Sequence, residues 1–340
     1  MKVNKKMKHQ GIRFSVIIPV DHRGIFLQKI LSSLKKLDFP PHRFEVLVVG
    51  NGSDIESMET VKEEQKGADF DMRYIQCESR TRSQQHNAAC AQAKGDVFVF
   101  TDDDCIIQPD WLKKFSAVLE THPQAGIVGG ADKLAESGSA FDLSLDFVLN
   151  SPFVMGRLLK KNKKGLVKYY PKSFNMAVVR TAAEKAALGE ADGMVQIFDQ
   201  DLEVHEDVDL ASRVETCGNQ IVYAPEAKVG HFRNTNFLSF FKRNIKLAQA
   251  CRKLKVHRLP QWILSGSLIL ACVLAVLSAV FPWARVVLGA FAGSYVLILV
   301  MSAVKGFFKT RKASSLFLVP LLTASLHLSR AIGYLLPTKP

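Results

Sequence analysis

Between residues 14 and 130, short strand-like runs alternate with stretches of helical periodicity. Residues 15–18, 46–49, 73–75 and 97–100 read as strands, and residues 25–37, 57–66 and 83–93 as helices. Alternation of this kind predicts a parallel sheet covered on both faces, with ligands at the carboxyl ends of its strands. No internal repeat or low-complexity segment interrupts the pattern.

The pattern changes after residue 236. Residues 237–254 carry Leu238, Phe241, Ile245 and Ala248 at helical spacing with basic groups opposite, the pattern of an interfacial helix. Residues 263–281 and 286–304 are then uncharged runs of 19 residues each. At about 1.5 Å per residue, each reaches roughly 28 Å, close to the thickness of a bilayer core. Only residues 282–285 separate them, which predicts a tight transmembrane hairpin with Trp262 and Trp283 at the two headgroup levels. Residues 315–336 are also apolar but contain Pro320, His327 and Arg330, so three placements stay open: spanning, re-entrant or interfacial.

Charge sharpens this division. The chain has 340 residues, 48% hydrophobic and 23% charged, with a net charge of +13. The last carboxylate side chain is Glu226, and residues 227–340 hold 16 Lys or Arg and no Asp or Glu. A nucleic-acid binder carries its basic groups on the folded domain that contacts phosphates. Here the excess lies among apolar runs, which excludes nucleic acid as the expected partner and points to membrane lipids. Lys242, Arg243, Lys246, Arg252, Lys253, Lys255 and Arg258 precede the first span, and Lys305, Lys309, Arg311 and Lys312 follow the second. The positive-inside rule then predicts a multi-pass protein of the inner (cytoplasmic) membrane, with residues 1–240 in the cytoplasm. The basic start MKVNKKMKHQ is followed by an apolar run that breaks at Pro19 and Asp21, so it reads as an extension before a strand and not as a signal peptide. Six scattered cysteines read as reduced thiols. The expected organisation is a basic extension over 1–12, an α/β domain over 13–235, an interfacial helix over 236–260 and a membrane region over 261–340.

The loops after the strands carry the candidate chemistry. Pro19, Val20, Asp21 and His22 follow the first, Gly50-Asn51-Gly52-Ser53-Asp54 the second, and Asp102-Asp103-Asp104 the fourth. Three consecutive carboxylates repel one another, and no adjacent Lys or Arg relieves them. Mg²⁺ or Mn²⁺ would, because such ions take oxygen ligands and bridge carboxylates to a diphosphate. An acidic turn leading into a helix at 111–120 is the alternative. Downstream, Glu206 and Asp207 in HEDVDL stand at a helix start, where the dipole favours carboxylates, whether for capping or for chemistry.

In order, FSVIIPV, EVLVVGNGSD, HNAACAQAKGDVFVFTDDDC with PDWL, FNMAVVR, and HEDVDLASRV closing with GNQIVYAPEAKVGH resemble the family 2 glycosyltransferases, over roughly residues 13–235. The resemblance implies the GT-A fold, a mixed sheet with helices on both faces. It implies that Asp102 and Asp104 hold a divalent metal on the diphosphate of a sugar nucleotide, with Asp103 between them. Asp207 would be the general base toward the acceptor hydroxyl, with Glu206, Asp209 and Arg213 orienting it or closing the site. Pro19, Val20, Asp21, Asn51, Ser53 and Asp54 match the nucleotide pocket, and Asn87 and Asp96 lie in the segment that completes it. His231 occupies the place of a metal-holding histidine of some GT-A enzymes, or else is a packed histidine.

The chain departs from the family where Gly50 replaces an acid and where Asp21-His22 replaces the usual Tyr-Asn. Gln249-Ala250-Cys251-Arg252-Lys253 partly resembles the QxxRW motif of processive synthases, but Lys253 replaces the Trp. The basic loop with Arg157, Lys160, Lys161, Lys163, Lys164, Lys168 and Lys172 is expected to meet the phosphate of a lipid-linked acceptor. The expected function is inverting, metal-dependent transfer of a single sugar from a nucleotide-diphosphate donor to a lipid-linked or envelope glycan. A polyprenyl-phosphate sugar synthase, a processive polysaccharide synthase and a non-catalytic membrane adaptor are the alternatives.

Overall fold

The computed structural model describes residues 11–20, 24–78, 81–135, 139–151, 169–191, 193–233, 235–256 and 258–337. The expectations for Asp21, His22, residues 1–10 and all of the basic loop except Lys172 lie outside these residues. The chain divides into two compact units, Met1–Glu136 with Tyr170–Phe232, and Ser137–Tyr169 with Arg233–Pro340.

The first unit begins as the sequence pattern predicts, with β1 (Phe14–Pro19), α1 (Gly24–Leu34), β2 (Phe44–Gly50), α2 (Ile55–Gln65), β3 (Asp71–Gln76), α3 (Arg82–Gln92) and β4 (Val97–Thr101). Local chemistry sets the helix starts. Asp54 accepts from the Ser57 amide to cap α2, and Thr81 forms a capping box with Gln84 on α3. There follow β5 (Cys105–Ile107), α4 (Trp111–Thr121), β6 (Ala125–Leu134), α5 (Ala140–Asn150, in the second unit), β7 (Asn175–Val179), α6 (Arg180–Lys185), β8 (Glu190–Ala191), β9 (Met194–Val195), α7 (Glu206–Thr216) and β10 (Gln220–His231).

Eight strands form one sheet in the order β3-β2-β1-β4-β7-β6-β10-β5. The central strands are buried throughout, and the two-residue period of the strand splits their side chains between two cores. Val16, Ile18, Val46, Val48, Val97 and Val99 face one core; Ile17, Leu47, Val49, Phe98 and Phe100 face the other. The sheet is parallel across β3-β2-β1-β4 and again between β6 and β10. Strand β7 runs antiparallel to both β4 and β6, and β5 antiparallel to β10. The whole is therefore the mixed sheet that the family resemblance implies, with the four strands read from the alternation pattern as its parallel half.

Asn175, at the head of β7, pins this second half. It is buried, donates to the carbonyls of Ala131 and Ala227 at 2.8 Å each, and accepts from the Trp111 indole at 2.9 Å. One amide thereby joins β7 to β6, β10 and α4.

The second unit contains α5, α8 (Phe237–Lys253), α9 (Arg258–Ser278), α10 (Pro282–Thr310) and α11 (Ser315–Leu335). Among the described residues three segments are long and apolar enough to cross a membrane, Pro260–Ser278, Pro282–Thr310 and Ser315–Leu335. Helix α5 falls in the stretch the sequence reading gave to the α/β domain. It groups with these helices because Leu145 and Val148 share a core with Phe240, Val319, Leu322 and Leu326. The Ser144 and Ser315 hydroxyls meet at 2.9 Å beside that core.

Replacing Asn175 by Ala strands the Trp111 N–H, the buried Ala227 carbonyl and the half-buried Ala131 carbonyl, each buried loss costing about 1–3 kcal/mol. Asn175→Ala is expected to lower the thermal midpoint of the detergent-solubilised protein by several degrees or more; an unchanged melting curve would contradict the pinning role.

Candidate active site

Strands β2, β1 and β4 are parallel neighbours, so their carboxyl ends share one edge of the sheet. The loops with Pro19 and Val20, with Asn51 to Asp54, and with Asp102 to Asp104 all leave from that edge. Val20 is fixed there by its amide on the Val49 carbonyl at 2.9 Å and by Gln85, which donates to the Val20 carbonyl at 3.1 Å.

All three carboxylates of the Asp102–Asp104 loop are buried. The relief that sequence proximity does not offer comes from Arg82, at the start of α3, whose guanidinium donates to Asp102. Burial alone would raise the Asp102 carboxyl, but Arg82 first and His231 second hold it below the usual carboxylate range. The field of Asp102, with Glu206 and Asp103, in turn lifts the Arg82 pKa. His231 reaches the site because β10 pairs with β5 so that His231 lies opposite Cys105. Its Nε2 comes to 3.0 Å from Asp104 Oδ1, its ring packs on Phe174, and the Phe232 amide donates to the Asp104 carbonyl at 2.9 Å.

The second acidic pair opens α7. His205 precedes it in the left-handed region at φ 65°, a conformation that costs a non-glycine residue roughly 1–3 kcal/mol and gathers at functional sites. Asp207 accepts from the Ser173 amide at 3.1 Å, with the Lys172 ammonium 3.7 Å away. Burial first, and the neighbouring Asp207 second, push the Glu206 carboxyl up to about 7. Arg82 acts electrostatically on Glu206 as well as on Asp102, so the field of one guanidinium bears on both acidic motifs.

Helix α3 ties these parts together. Ser83 donates to the Leu202 carbonyl at 3.4 Å, and the Asn87 amide is fully engaged with Gln196 and with both backbone groups of Phe198. Asn87 is thus a strut for the segment leading to α7, in place of the direct nucleotide contact that the resemblance implies. Asp96 stands before β4, at the opposite edge of the sheet, where it accepts from the Arg13 amide at 3.1 Å. Its place in the nucleotide pocket is therefore corrected. Asp209 binds Arg213 at 2.8 Å, and Arg213 also donates to the Ile197 and Ala186 carbonyls, so this pair anchors the same segment. His86 lies between the Phe100 and Phe198 rings, and burial lowers its pKa to about 3, so it packs as a neutral ring.

At the nucleotide side, Gly50 makes room for a neighbour. A Cβ at Gly50 would stand 2.4 Å from the Tyr74 hydroxyl and 2.6 Å from Val20. Tyr74, on β3, thus fills the place an acid would need; its hydroxyl donates to the Asn51 carbonyl at 3.1 Å. Burial, with Asp54 second, pushes that phenol up to about 12. The Asn51 side chain accepts from the Ser53 amide at 3.3 Å, and Asp54 is spent on capping α2.

For a divalent ion, Asp104, Cys105 and His231 offer ligand atoms that lie within 4.8 Å of one another. Burial pushes the Cys105 thiol well up, which leaves it protonated and unsuited to ligation. The oxygen of Asp104 and the nitrogen of His231 fit a Mn²⁺-type ion, with Asp102 and Asp103 beside them.

Two outcomes follow from this geometry. A carboxyl raised in the folded state contributes stability that is fully present below its unfolded pKa and is lost as pH rises through the folded value. Glu206→Gln is therefore expected to stabilise the protein at pH 8 by up to about 3 kcal/mol while matching the parent near pH 4.5. Parallel melting curves across that range would sink the assignment. Gly50→Asp is expected to cost about 1–3 kcal/mol by overpacking against Tyr74, and Tyr74→Ala in the same chain to recover part of it.

The model for Glycosyl transferase family 2 matches residues 15–153. A curated relative, the poly(ribitol-phosphate) beta-N-acetylglucosaminyltransferase TarS of Staphylococcus aureus, is 30% identical over 111 residues, which span 33% of this chain and 19% of TarS. The dolichyl N-acetyl-alpha-D-glucosaminyl phosphate 3-beta-D-2,3-diacetamido-2,3-dideoxy-beta-D-glucuronosyltransferase of Methanococcus voltae is 22% identical over 242 residues, 69% of this chain and 72% of that protein. Among solved structures, the mannosyltransferase PcManGT of Pyrobaculum calidifontis, in complex with GDP-Man and Mn²⁺, superposes with a TM-score of 0.61 at 19% identity, covering 93% of this chain and 87% of that one. The mixed sheet with acidic loops on its carboxyl edge is thus the GT-A fold that this chain shares with PcManGT, and its residues 15–153 are similar to Glycosyl transferase family 2.

Proposed function

We propose that this protein is a metal-dependent, inverting glycosyltransferase. It moves one sugar from a nucleotide-diphosphate donor to a hydroxyl of a membrane-associated acceptor, a lipid-linked glycan. The observation that carries the reading is the Arg82–Asp102 pair with the Asp104–His231 pair beside it, the field of Arg82 bearing on Glu206 next to Asp207. Three apolar helices and the dolichyl-phosphate substrate in the name of the Methanococcus voltae relative support the acceptor class. The basic residues flanking the spans support a cytoplasmic placement of the catalytic unit.

In this reading Asp207, held by the Ser173 amide and Lys172, takes the proton of the acceptor hydroxyl. The acceptor oxygen bonds to the anomeric carbon as the bond from that carbon to the diphosphate oxygen breaks. Attack from the face opposite the diphosphate inverts the centre and needs no covalent intermediate. Asp104 and His231 would hold a divalent ion, and the chemistry it would supply is positive charge toward the departing diphosphate. Arg82 stays protonated beside Asp102 and Glu206 and keeps the two acidic loops together.

A binding screen of the purified protein against UDP, GDP, TDP and CMP, each with and without Mn²⁺ or Mg²⁺, tests the donor half. Metal-dependent binding of a nucleoside diphosphate is expected, and no binding by folded protein would favour the adaptor. Asp207→Asn is expected to lower turnover by about 10²–10⁴ with donor binding nearly intact. Asp104→Asn is expected to weaken metal-dependent donor binding, and a fully active Asp207→Asn enzyme would refute the base.

A further inference from the structure

Helix α11 is long and apolar enough to cross a bilayer, yet both of its ends lie at the same end of the α9–α10 hairpin. If α9 and α10 cross the membrane, the chain enters with the start of α9 and returns with the end of α10, on one side. Helix α11 begins at that returning end, where the Thr310 hydroxyl donates to Ser315 at 2.8 Å. It finishes at the start of α9: the Tyr334 and Trp262 rings stand 5.6 Å apart, and the Ser265 hydroxyl donates to the Ala331 carbonyl at 3.2 Å. A helix that starts and ends on one side does not span. The length of α10 allows this arrangement, since its 29 residues extend about 43 Å, beyond a core of about 30 Å.

Helix α8 strengthens the argument because it lies alongside α11. Arg330 donates to the Asn244 side chain at 3.2 Å. Gly333 comes so near that a Cβ there would stand 2.4 Å from the Ile245 carbonyl oxygen. Arg252 donates to the Tyr334 and Leu336 carbonyls at 3.3 Å, and Gln249 to the Pro337 carbonyl at 3.2 Å. Helix α8 exposes Lys242, Arg243 and Lys253. Were α11 a span, these charges would be carried into hydrocarbon beside it, a placement that membrane helices strongly disfavour. At the interface the same pair is well matched to its surroundings. Helix α11 exposes Phe317, Leu321, Leu328 and Leu335, spaced along one face, while α8 exposes cations. Residues 227–340 offer no carboxylate to neutralise those cations.

We propose that α8 and α11 form an interfacial platform that binds anionic phospholipid headgroups, and that only α9 and α10 cross the membrane, leaving Pro337 on the same side as α8. The inference rests on the reading of α9 and α10 as a membrane hairpin. It is tested in the full chain with Ser239→Cys in α8, Val280→Cys in the hairpin turn and Pro337→Cys, made singly. Each is treated with a membrane-impermeant maleimide in sealed vesicles of both orientations, and labelling is located by peptide mass spectrometry.

Positions 239 and 337 are expected to label from one side and position 280 from the other. Labelling of 337 from the side of 280 would overturn the proposal by making α11 a span. Labelling of all three from one side would overturn it differently, by removing the hairpin on which it rests. For the headgroups, the triple variant Lys242→Gln, Arg243→Gln, Lys253→Gln is compared with the parent in nanodiscs of mixed phosphatidylglycerol and phosphatidylcholine. The lipids retained after extraction are read by mass spectrometry. A loss of enrichment for phosphatidylglycerol of about tenfold or more is expected, given the strength of Lys and Arg attraction to anionic leaflets. Unchanged enrichment would overturn the assignment of the headgroup site.

Discussion

Three carboxylates buried in succession at the end of β4 are the constraint from which most of the α/β unit follows. Removing an ion from water costs several kcal/mol even after relaxation, and like charges side by side add to the cost. Offsetting partners must therefore be brought in from elsewhere and held with little freedom. Arg82 comes from the start of α3 to Asp102, and His231 from the end of β10 to Asp104. Neither can serve its carboxylate unless its own element is fixed, so the electrostatics of one loop dictates the docking of two distant segments.

Helix α3 meets that demand with a row of contacts along its inner side. Arg82 holds the acid, Ser83 the Leu202 carbonyl, His86 stacks between two phenylalanines, and Asn87 clasps Phe198. The contacts beyond Arg82 run to the segment that enters α7, so the helix that neutralises Asp102 also places Glu206 and Asp207. The β5–β10 pairing does the corresponding work for His231, and it requires β5 to run against β10. The mixed character of the sheet is thus bound up with the site.

The sequence pattern reveals the parts of this that depend on local chemistry. The β-branched runs and the acidic loops after the strands stand out because period and spacing decide them. The reversal at β7 does not, since FNMAVVR reads as a strand in either direction and only its neighbours choose. Arg82 is likewise hidden. It lies 20 positions before its partner, and a basic residue at a helix start looks like an ordinary solvated charge. The one local hint is its place just after β3, on the loop edge where the acids also lie. Gly50 shows the same limit from the other direction: the missing acid is plain in the sequence, whereas the tyrosine that takes its space belongs to the next strand. Helix α5 reads as part of the α/β domain by position, and its apolar face joins the other unit because Leu145 and Val148 complete a core there.

Between α8 and α11 the polar groups are resolved by a different rule. Arg330, on an apolar helix, meets the neutral amide of Asn244, and Arg252 meets backbone carbonyls. An aspartate at position 244 would make a stronger bond to Arg330, because a charged acceptor roughly doubles the strength of a hydrogen bond. It would also cancel one of the positive charges that an anionic surface attracts. Asparagine keeps the geometry of the α8–α11 contact while leaving the charge uncompensated. The same choice repeats across residues 227–340, where no side chain carries a negative charge. Helix pairing there relies on close approach at Gly333 and on neutral acceptors, and the net charge remains available to whatever surface the unit meets.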